Sequence, residues 1–381
     1  MVDEREPASG DPHRRERRTA EELLPADELV QLLDADGVRH EHPRYTAEVG
    51  DDALRELYRW MNVVRAVDRE SIHLQRQGQL GVYASGLGQE AAQVGSASAL
   101  ADADWVFPSY RELGVGMVRG VDPVRLLHLN RGTWLADHDP HEHGFAPPSI
   151  PIGTQALHAV GFALGALFDG APIVAVTYLG DGATSEGDTH EALTFAGVMG
   201  APVVFFVQNN QYAISVPVEE QTAAPTLAHK GVGYGIPAVR VDGNDVLGTY
   251  AVTREAVDRA RAGEGPTLIE AVTYRREAHT TSDDADRYRP REEVEAAEAR
   301  DPILRMARYL RANDLLDDAA EREVQDAAAR LAGEVRARLY DAPHGDPREL
   351  FSHVYVDPTG HFEEQAALLE RELGERGQAP R

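Results

Sequence analysis

Two polar side chains that follow apolar runs are the residues best suited to do chemistry. Asp181 lies between Gly180 and Gly182 in GDGATSEGD, after the run APIVAVTYL, and Asn210 closes PVVFFVQNN. Carboxylate and amide oxygens are ligands that Mg²⁺ commonly takes from a protein, while phosphates and water complete its octahedron. The two glycines let the backbone approach a diphosphate. An aspartate between two glycines and an asparagine, each placed after an apolar run, together predict a site for Mg²⁺ and a diphosphate.

The elements that must position these residues have a clear pattern. Continuous apolar runs of this length are typical of strands buried on both faces of a parallel sheet. Further strands are predicted at 238–243 and 267–275, with the helix VLGTYAVTREAVDRARAG between them. We expect an α/β fold: a doubly wound, mostly parallel sheet flanked by helices, with helical N- and C-terminal extensions. Ligands bind at the carboxyl ends of such strands, so Asp181 and Asn210 should share one crevice.

Each motif alone has a simpler interpretation, because Gly, Asp and Asn are the usual residues of strand-ending turns. The combination favours the site, since one helix and one strand fit between the two motifs. The following SEGD (185–188) is also typical of a capping box that opens a helix, whose N-terminus attracts anions.

Three segments are predicted along the chain. Residues 1–45 are a mobile charged leader, residues 46–345 form the α/β domain with its C-terminal helices, and residues 346–381 form a tail. A Gly- and Pro-rich stretch, 131–153, is predicted as a long loop that forms a lid or a wall of the site.

Composition excludes several classes of function. A net charge of −26 argues against nucleic-acid binding, and the absence of cysteine excludes disulfides and thiolate metal sites. Lys230 is the only lysine, so a Schiff base could form at that residue alone. No apolar run suits a membrane span and the charged N-terminus is unlike a secretory signal, so we expect a cytoplasmic protein without a membrane partner. The acidic balance fits either a high-salt cytoplasm or an arginine-rich genome.

GDGATSEGD together with QNNQYAIS resembles the thiamine diphosphate motif of thiamine-dependent enzymes. In detail it is similar to the alpha subunit of the decarboxylating component of 2-oxo acid dehydrogenases, over residues of about 50 to 350. The resemblance implies thiamine diphosphate and Mg²⁺ as cofactors. It implies that Asp181 and Asn210 bind the metal by side chains and Tyr212 by its backbone carbonyl.

Flanking matches extend the implied site. Tyr110 and Arg111 of SYREL, and Arg275 of YRREAH, resemble the residues that reach the diphosphate, although each arginine alone would be read as a surface charge. The backbone carbonyl of Ile152 would meet the aminopyrimidine ring. His279 resembles a histidine that assists acyl transfer to a lipoyl group, for which an imidazole is suited.

A monovalent-cation site, with K⁺ as the candidate, is implied by a set of residues that could equally form a helix cap. Its members are Ser149, Pro151, Thr154 and Gln155. Thr280 and Ser282 fall in a loop that some relatives phosphorylate. Three positions depart from the pattern, namely Glu277 and Ala278 before the histidine and Gln208 before the asparagine pair.

The resemblance also implies partners. A beta subunit would supply a glutamate that activates the cofactor in an α2β2 heterotetramer, and a lipoyl acyltransferase component would accept the acyl group. The chain alone should then be unable to decarboxylate a 2-oxo acid.

Other functions compete. An acetoin dehydrogenase alpha subunit would use the same machinery, and pyruvate and branched-chain 2-oxo acids are equally open as substrates. A magnesium-dependent phosphohydrolase would need a second carboxylate and a lysine, and Lys230 is poorly placed for it. A non-catalytic assembly subunit is a third alternative. His138, His141 and His143 resemble a transition-metal site only in composition, because their spacing is not that of helical zinc ligands.

Overall fold

The fold is built on a five-stranded sheet. The computed structural model describes residues 18–132, 138–341, 349–352, 354–357 and 359–377. All neighbouring strands in the sheet are parallel, in the order β1-β2-β3-β7-β6. A separate antiparallel pair, β4-β5, follows β3. The strands are β1 (Trp105–Phe107), β2 (Ala175–Gly180), β3 (Val203–Asn209), β4 (Tyr212–Ala213), β5 (Val216–Pro217), β6 (Ala238–Asp242) and β7 (Thr267–Val272).

Helices surround the sheet. They are α1 (Ala20–Leu23), α2 (Asp51–Arg76), α3 (Glu90–Ser98), α4 (Leu113–Val118), α5 (Pro123–Arg131), α6 (Pro140–His143), α7 (Thr154–Phe168), α8 (Gly187–Met199), α9 (Val218–Gln221), α10 (Lys230–Tyr234), α11 (Val246–Arg261), α12 (Arg291–Glu298), α13 (Pro302–Ala312), α14 (Asp318–Asp341), α15 (Glu349–Ser352) and α16 (Gly360–Gly377). Short 3₁₀ helices lie at Gly182–Ser185, Leu227–His229 and Ala285–Arg287. Within the described ranges, every helix is too short or too polar to span a bilayer.

The alternation of side chains along the central strands produces two cores. Tyr178 and Phe206 point to the face covered by α2, α3 and α11, whereas Leu179 and Val207 point to the face covered by α7 and α8. All four side chains are fully buried. Strands that are apolar on both faces are stable only between two helical layers, so the predicted doubly wound fold is confirmed.

Part of the predicted leader is folded against the domain. Val30 forms a parallel bridge with Val241 of β6, and Leu33 is fully buried. The Leu33 carbonyl accepts a hydrogen bond from Nη1 of Arg305 at 2.9 Å. The prediction of a mobile segment up to residue 45 is therefore wrong for these residues, because their apolar side chains cover the edge of the sheet. Residues 1–17 of the predicted leader lie outside the described ranges.

Two local expectations are also corrected. Ser185 ends a 3₁₀ helix and α8 begins at Gly187 after Glu186, without a side-chain cap, so the capping box is absent. The segment 131–153 contains the short helix α6, which Asp139 caps through the His141 amide at 2.9 Å. Residues 133–137 of that predicted loop lie outside the described ranges.

Candidate functional site

A cavity of about 250 Å³ lies at the carboxyl ends of β2 and β3. It is lined by most of the residues that the sequence predicted for a cofactor site. These are Tyr110, Arg111, Ile152, Gln155, Gly180, Asp181, Gly182, Asn210, Tyr212, Arg275 and His279. The pairing of Gly180 with Gln208 brings the two motifs side by side, because both follow adjacent parallel strands. Ser149, Pro151 and Thr154 do not line this cavity.

The side-chain amide of Asn210 places its oxygen close to two other oxygen atoms beside the cavity. The side-chain amide oxygen of Asn210 lies 3.2 Å from the Tyr212 carbonyl oxygen and 3.3 Å from Oδ1 of Asp181. All three are acceptors, so the arrangement requires either a reversed Asn210 amide or a cation among them. Adjacent ligands of an octahedral Mg²⁺ lie about 3 Å apart when the metal–oxygen distance is about 2.1 Å. The donor set therefore fits magnesium.

Two hydrogen bonds hold the Asp181 carboxylate in place. The residue is 1% exposed, and burial raises the pKa of its carboxyl above the usual range. Oδ2 accepts a hydrogen bond from Nε2 of Gln221 at 2.6 Å. Oδ1 accepts a longer one from the backbone N–H of Asn210 at 3.3 Å. A buried carboxylate with so few donors gains from a cation, because the metal would offset its loss of hydration.

The turn after β3 carries unusual backbone geometry. Gln211 and Ile214 have positive φ angles of 77° and 56° without being glycine. Arg275 stabilises this turn, since Nη1 donates to the Tyr212 carbonyl at 2.8 Å and Nη2 donates to the Ile214 carbonyl at 2.7 Å. Nη2 also donates to the Tyr288 hydroxyl at 3.0 Å. Arg275 was predicted as a phosphate contact; in the structure its main partners are these backbone oxygens.

Arg111 and His279 form the opposite wall of the cavity. Nη2 of Arg111 donates to the His279 carbonyl at 3.1 Å and lies 3.4 Å from the ring nitrogen Nδ1. The Tyr110 ring packs edge-on against the imidazole. Burial, followed by the charges of Arg111 and Arg275, lowers the pKa of His279 to about 4. The imidazole is therefore neutral near pH 7, where it is a weaker base than an ordinary histidine.

A buried network fixes Arg111. Its Nη1 donates to the Ser85 carbonyl at 2.6 Å, and the Ser85 hydroxyl donates to Asp68 at 2.5 Å. Asp68 also accepts from the Tyr83 hydroxyl and the Gly86 amide. The Tyr83 carbonyl in turn accepts a hydrogen bond from the backbone amide of Thr281 at 2.9 Å. This network ties the wall that carries Arg111 to the loop that follows His279.

Sequence reasoning missed the buried Gln89 and Glu112 of the cavity, and it assigned no cavity contact to Gln155 or Gln208. Gln89 is 0% exposed, and neither of its amide atoms has a hydrogen-bond partner among the described residues. The same holds for one oxygen each of Gln155 and Gln208. Nε2 of Gln208 donates to the buried Glu112 at 2.7 Å, and burial raises the pKa of that carboxyl. Buried polar atoms without partners are rare in proteins and indicate that a ligand or water completes them.

The predicted monovalent-cation residues point to different partners. The Ser149 hydroxyl lies 3.4 Å from the Pro151 carbonyl oxygen, and the Thr154 hydroxyl lies 3.4 Å from a carboxylate oxygen of Asp188. Gln155 is buried and donates to the Tyr178 carbonyl at 2.9 Å. Their oxygens come from one short stretch before and within the first turn of α7, but this structure gives them no shared centre.

The three clustered histidines also have separate surroundings. Nε2 of His138 lies 2.9 Å from the Phe145 carbonyl oxygen, and His141 packs edge-on against Trp105. Nε2 of His143 lies 3.8 Å from Glu142. Within the described ranges, no group of three or more histidine, aspartate or glutamate side chains could hold a metal ion. The group beside Asp181 differs in composition, because it combines one carboxylate with an amide oxygen and a backbone carbonyl oxygen.

Comparison with known sequences identifies the family of this site. The sequence model of the dehydrogenase E1 component family matches residues 58–346, which include β1 to β7 and every residue of the cavity wall. The chain belongs to the dehydrogenase E1 component family. E1 components of this family depend on thiamine diphosphate, as the motif predicts.

Several E1 alpha subunits are similar over nearly their whole length. The 3-methyl-2-oxobutanoate dehydrogenase subunit alpha of Mycobacterium tuberculosis (strain ATCC 25618 / H37Rv) is 50% identical over 358 residues, which cover 94% of this chain and 98% of that protein. The pyruvate dehydrogenase E1 component subunit alpha of Staphylococcus epidermidis (strain ATCC 12228 / FDA PCI 1200) is 40% identical over 327 residues, covering 85% and 87%. Its counterpart in Staphylococcus aureus (strain COL) is 39% identical over 343 residues, covering 89% and 91%.

Proposed function

We propose that the chain is the alpha subunit of a thiamine diphosphate-dependent 2-oxo acid dehydrogenase that acts on branched-chain 2-oxo acids. The observation that carries the proposal is that the Asn210 amide oxygen lies close to oxygens of Asp181 and Tyr212 beside a cavity walled by Arg111 and His279. The branched-chain assignment is supported by the greater identity to the 3-methyl-2-oxobutanoate dehydrogenase subunit, 50% against 40% for a pyruvate dehydrogenase subunit.

In this proposal Mg²⁺ is bound by the side chains of Asp181 and Asn210 and by the Tyr212 carbonyl. Two diphosphate oxygens and water would complete its coordination, as magnesium sites commonly use substrate phosphates. Arg275 holds the Tyr212 carbonyl, which would be a ligand of this ion, in place through a 2.8 Å hydrogen bond. Gly182 has the Ala213 side chain 2.7 Å from the position that its Cβ would occupy, so glycine is required where this turn meets the next one.

The bound thiamine diphosphate would supply a carbon nucleophile and an electron sink for decarboxylation. Arg111 contributes a fixed positive charge on the cavity wall, where it can bind a phosphate or carboxylate oxygen. His279, neutral near pH 7, can accept a proton during acyl transfer and stands against Tyr110. Gln89, Gln155 and Gln208 contribute amide groups whose partners would come from the ligand or from water held with it.

A monovalent cation remains a second proposal. Ser149, Pro151, Thr154 and Gln155 offer hydroxyl, carbonyl and amide oxygens before and in the first turn of α7, and K⁺ would order the segment that carries Ile152. Ile152 is 39% exposed at the rim, and its carbonyl would face the aminopyrimidine.

The proposal includes partners. The relatives are named as alpha subunits, and we infer a beta subunit that completes an α2β2 heterotetramer and a lipoyl acyltransferase that receives the acyl group. Ile152 and Ile214 form an exposed apolar rim of the cavity, 39% and 55% exposed, which fits cover by another chain.

The test is carbon dioxide release by the chain reconstituted with its beta subunit, thiamine diphosphate and Mg²⁺. With a lipoylated acceptor present for turnover, we expect a higher kcat/KM with 3-methyl-2-oxobutanoate than with pyruvate. Preference for pyruvate would overturn the substrate assignment alone. Activity that is unchanged without thiamine diphosphate would overturn the function.

A further inference from the structure

One short segment contacts both turns that carry the proposed metal ligands. It consists of residues 227–231, which form the 3₁₀ helix Leu227–His229 and the start of α10. We call it the bridging segment. Leu227 and Ala228 are buried, with exposures of 1% and 0%, so the segment is anchored in the core beside α8 and β7.

The first contact runs to the turn after β2. Nζ of Lys230 donates to the Thr184 carbonyl at 2.8 Å and lies 2.9 Å from the Thr184 hydroxyl oxygen. That hydroxyl donates to the Asp181 carbonyl at 2.7 Å, and the Thr184 amide donates to the same oxygen at 3.1 Å. Lys230 is therefore connected through one residue to the backbone of Asp181.

The second contact runs to the turn after β3. The Ala228 amide donates to Oε2 of Glu270 at 2.9 Å, and Nδ2 of Asn209 donates to Oε1 of the same carboxylate at 2.8 Å. Glu270 is 1% exposed and pairs with Arg240 at 3.3 Å. Asn209 directly precedes Asn210, so the bridging segment also fixes the second turn.

We propose that Lys230 and Glu270 are positioning residues that set the separation of Asp181 and Asn210, and thereby the affinity for Mg²⁺. The proposal rests on the magnesium site of the proposed function. Neither residue is among those that line the cavity, so both act through other residues. Groups that orient metal ligands typically contribute 10- to 100-fold in metal affinity.

The electrostatic setting of Lys230 supports a structural role. Its ammonium is half-buried, and burial lowers its pKa. Among the described residues, no carboxylate lies within ion-pair distance of it, so backbone and hydroxyl oxygens of Thr184 are its main partners. In a chain whose other basic residues are arginines, a compact ammonium at this position suits two acceptors on one residue better than a planar guanidinium.

The test is calorimetric titration of Mg²⁺ at saturating thiamine diphosphate into the complex of this chain with its beta subunit. Lys230→Met keeps the unbranched side chain up to the position of Cε and removes the ammonium, and we expect an affinity roughly 10- to 100-fold weaker. Thr184→Val, which removes only the hydroxyl, should weaken binding in the same direction, whereas the matched control Thr184→Ser should bind as the wild type does. If Lys230 and Thr184 act through the same contact, the double variant Lys230→Met/Thr184→Val should bind Mg²⁺ about as weakly as the weaker single variant, and not with the sum of both losses.

Glu270→Gln tests the contact of the bridging segment with the turn after β3, and this variant too should weaken Mg²⁺ binding. Wild-type Mg²⁺ affinity in Lys230→Met, or equal affinity in Thr184→Val and Thr184→Ser, would overturn this inference. Asp181→Ala distinguishes failure of the proposed metal site from failure of the proposed role of the bridging segment. If Asp181→Ala binds Mg²⁺ as the wild type does, the metal site itself is wrong; if it loses binding while Lys230→Met keeps it, only the role of the bridging segment is wrong.

Discussion

The amide oxygen of Asn210 lies 3.3 Å from Oδ1 of Asp181, and both atoms are acceptors. Two acceptors in contact are unfavourable unless a proton or a cation lies between them. The Tyr212 carbonyl adds a third acceptor to the group. Either a reversed Asn210 amide or a hard cation removes this conflict, and in the proposed site Mg²⁺ would be held by three oxygens of which only one carries a formal charge.

Removal of the charged ligand should abolish magnesium-dependent cofactor binding. We expect Asp181→Ala to weaken thiamine diphosphate binding by at least about 100-fold, since it removes a direct ligand whose supporting groups alone are worth 10- to 100-fold. Calorimetry on the reconstituted pair measures the change. Asp169→Ala, an exposed carboxylate at the end of α7, is the control and should bind as the wild type does. Equal losses in both variants would contradict a specific site.

Replacement of Arg275 should disturb the metal turn before it disturbs phosphate binding. Arg275→Met removes these donors from the carbonyls of Tyr212 and Ile214, at a cost of about 1–3 kcal/mol for the buried Tyr212 acceptor and less for the partly exposed Ile214 acceptor. We expect a melting temperature lowered by several degrees even without cofactor. Arg254→Met, at an exposed position of α11, is the matched control. An unchanged melting temperature in Arg275→Met would favour a direct role in phosphate binding.

His279 should titrate far below an ordinary histidine. Its pKa in the folded chain is about 4, against 6.5 in the unfolded chain, because of burial and the charges of Arg111 and Arg275. Between these values the unfolded chain binds more protons, so this residue's contribution to stability rises with pH across that window and is lost as pH falls towards 4. Above pH 6.5 the contribution is complete.

The pH dependence of diethyl pyrocarbonate modification, read by mass spectrometry at the His279 peptide, measures this pKa because only the neutral imidazole reacts. The cofactor-free pair is used so that the ring stays accessible. Arg111→Met should shift the midpoint upwards, since it removes the second-largest cause of the lowered pKa. A wild-type midpoint near 6.5 would show that the imidazole is not shielded as described.

The chain alone should be inactive. Ile152 and Ile214 leave one side of the cavity open, and the catalytic glutamate implied by the family resemblance is expected on the beta subunit. We expect no carbon dioxide release from the purified chain with thiamine diphosphate and Mg²⁺, and recovery when the beta subunit is added. Full turnover by the chain alone would exclude a shared active site.

The sequence predicts the central strands because their apolar runs have no other stable environment. β2, β3, β6 and β7 were all expected, whereas β1 and the β4-β5 pair were not, since two or three residues carry no periodic pattern. The capping box was wrong because a 3₁₀ turn separates Ser185 from the start of α8. Local sequence does not show which of two similar turns the tertiary packing selects.

The residues brought together in the cavity were predictable where they follow strands and not where they come from other layers. Asp181 and Asn210 are adjacent because β2 pairs with β3. Gln89 and Glu112 enter the cavity from the segments that begin α3 and α4, and a glutamine or glutamate at a helix start has no pattern that distinguishes it. Their burial without full hydrogen bonding appears only in three dimensions.

The register of β2 against β3 has a consequence for the order in which parts of the protein unfold. Gly180 pairs with Gln208 at the last position of a ladder whose first pair is Ala175 with Val203, and both strands are buried except at the partly exposed Gly180. The proposed metal ligands are thus extensions of the strands that should exchange their amide hydrogens most slowly. On gradual denaturation, the competence to bind cofactor should persist after the C-terminal helices have begun to exchange, and should vanish together with the sheet.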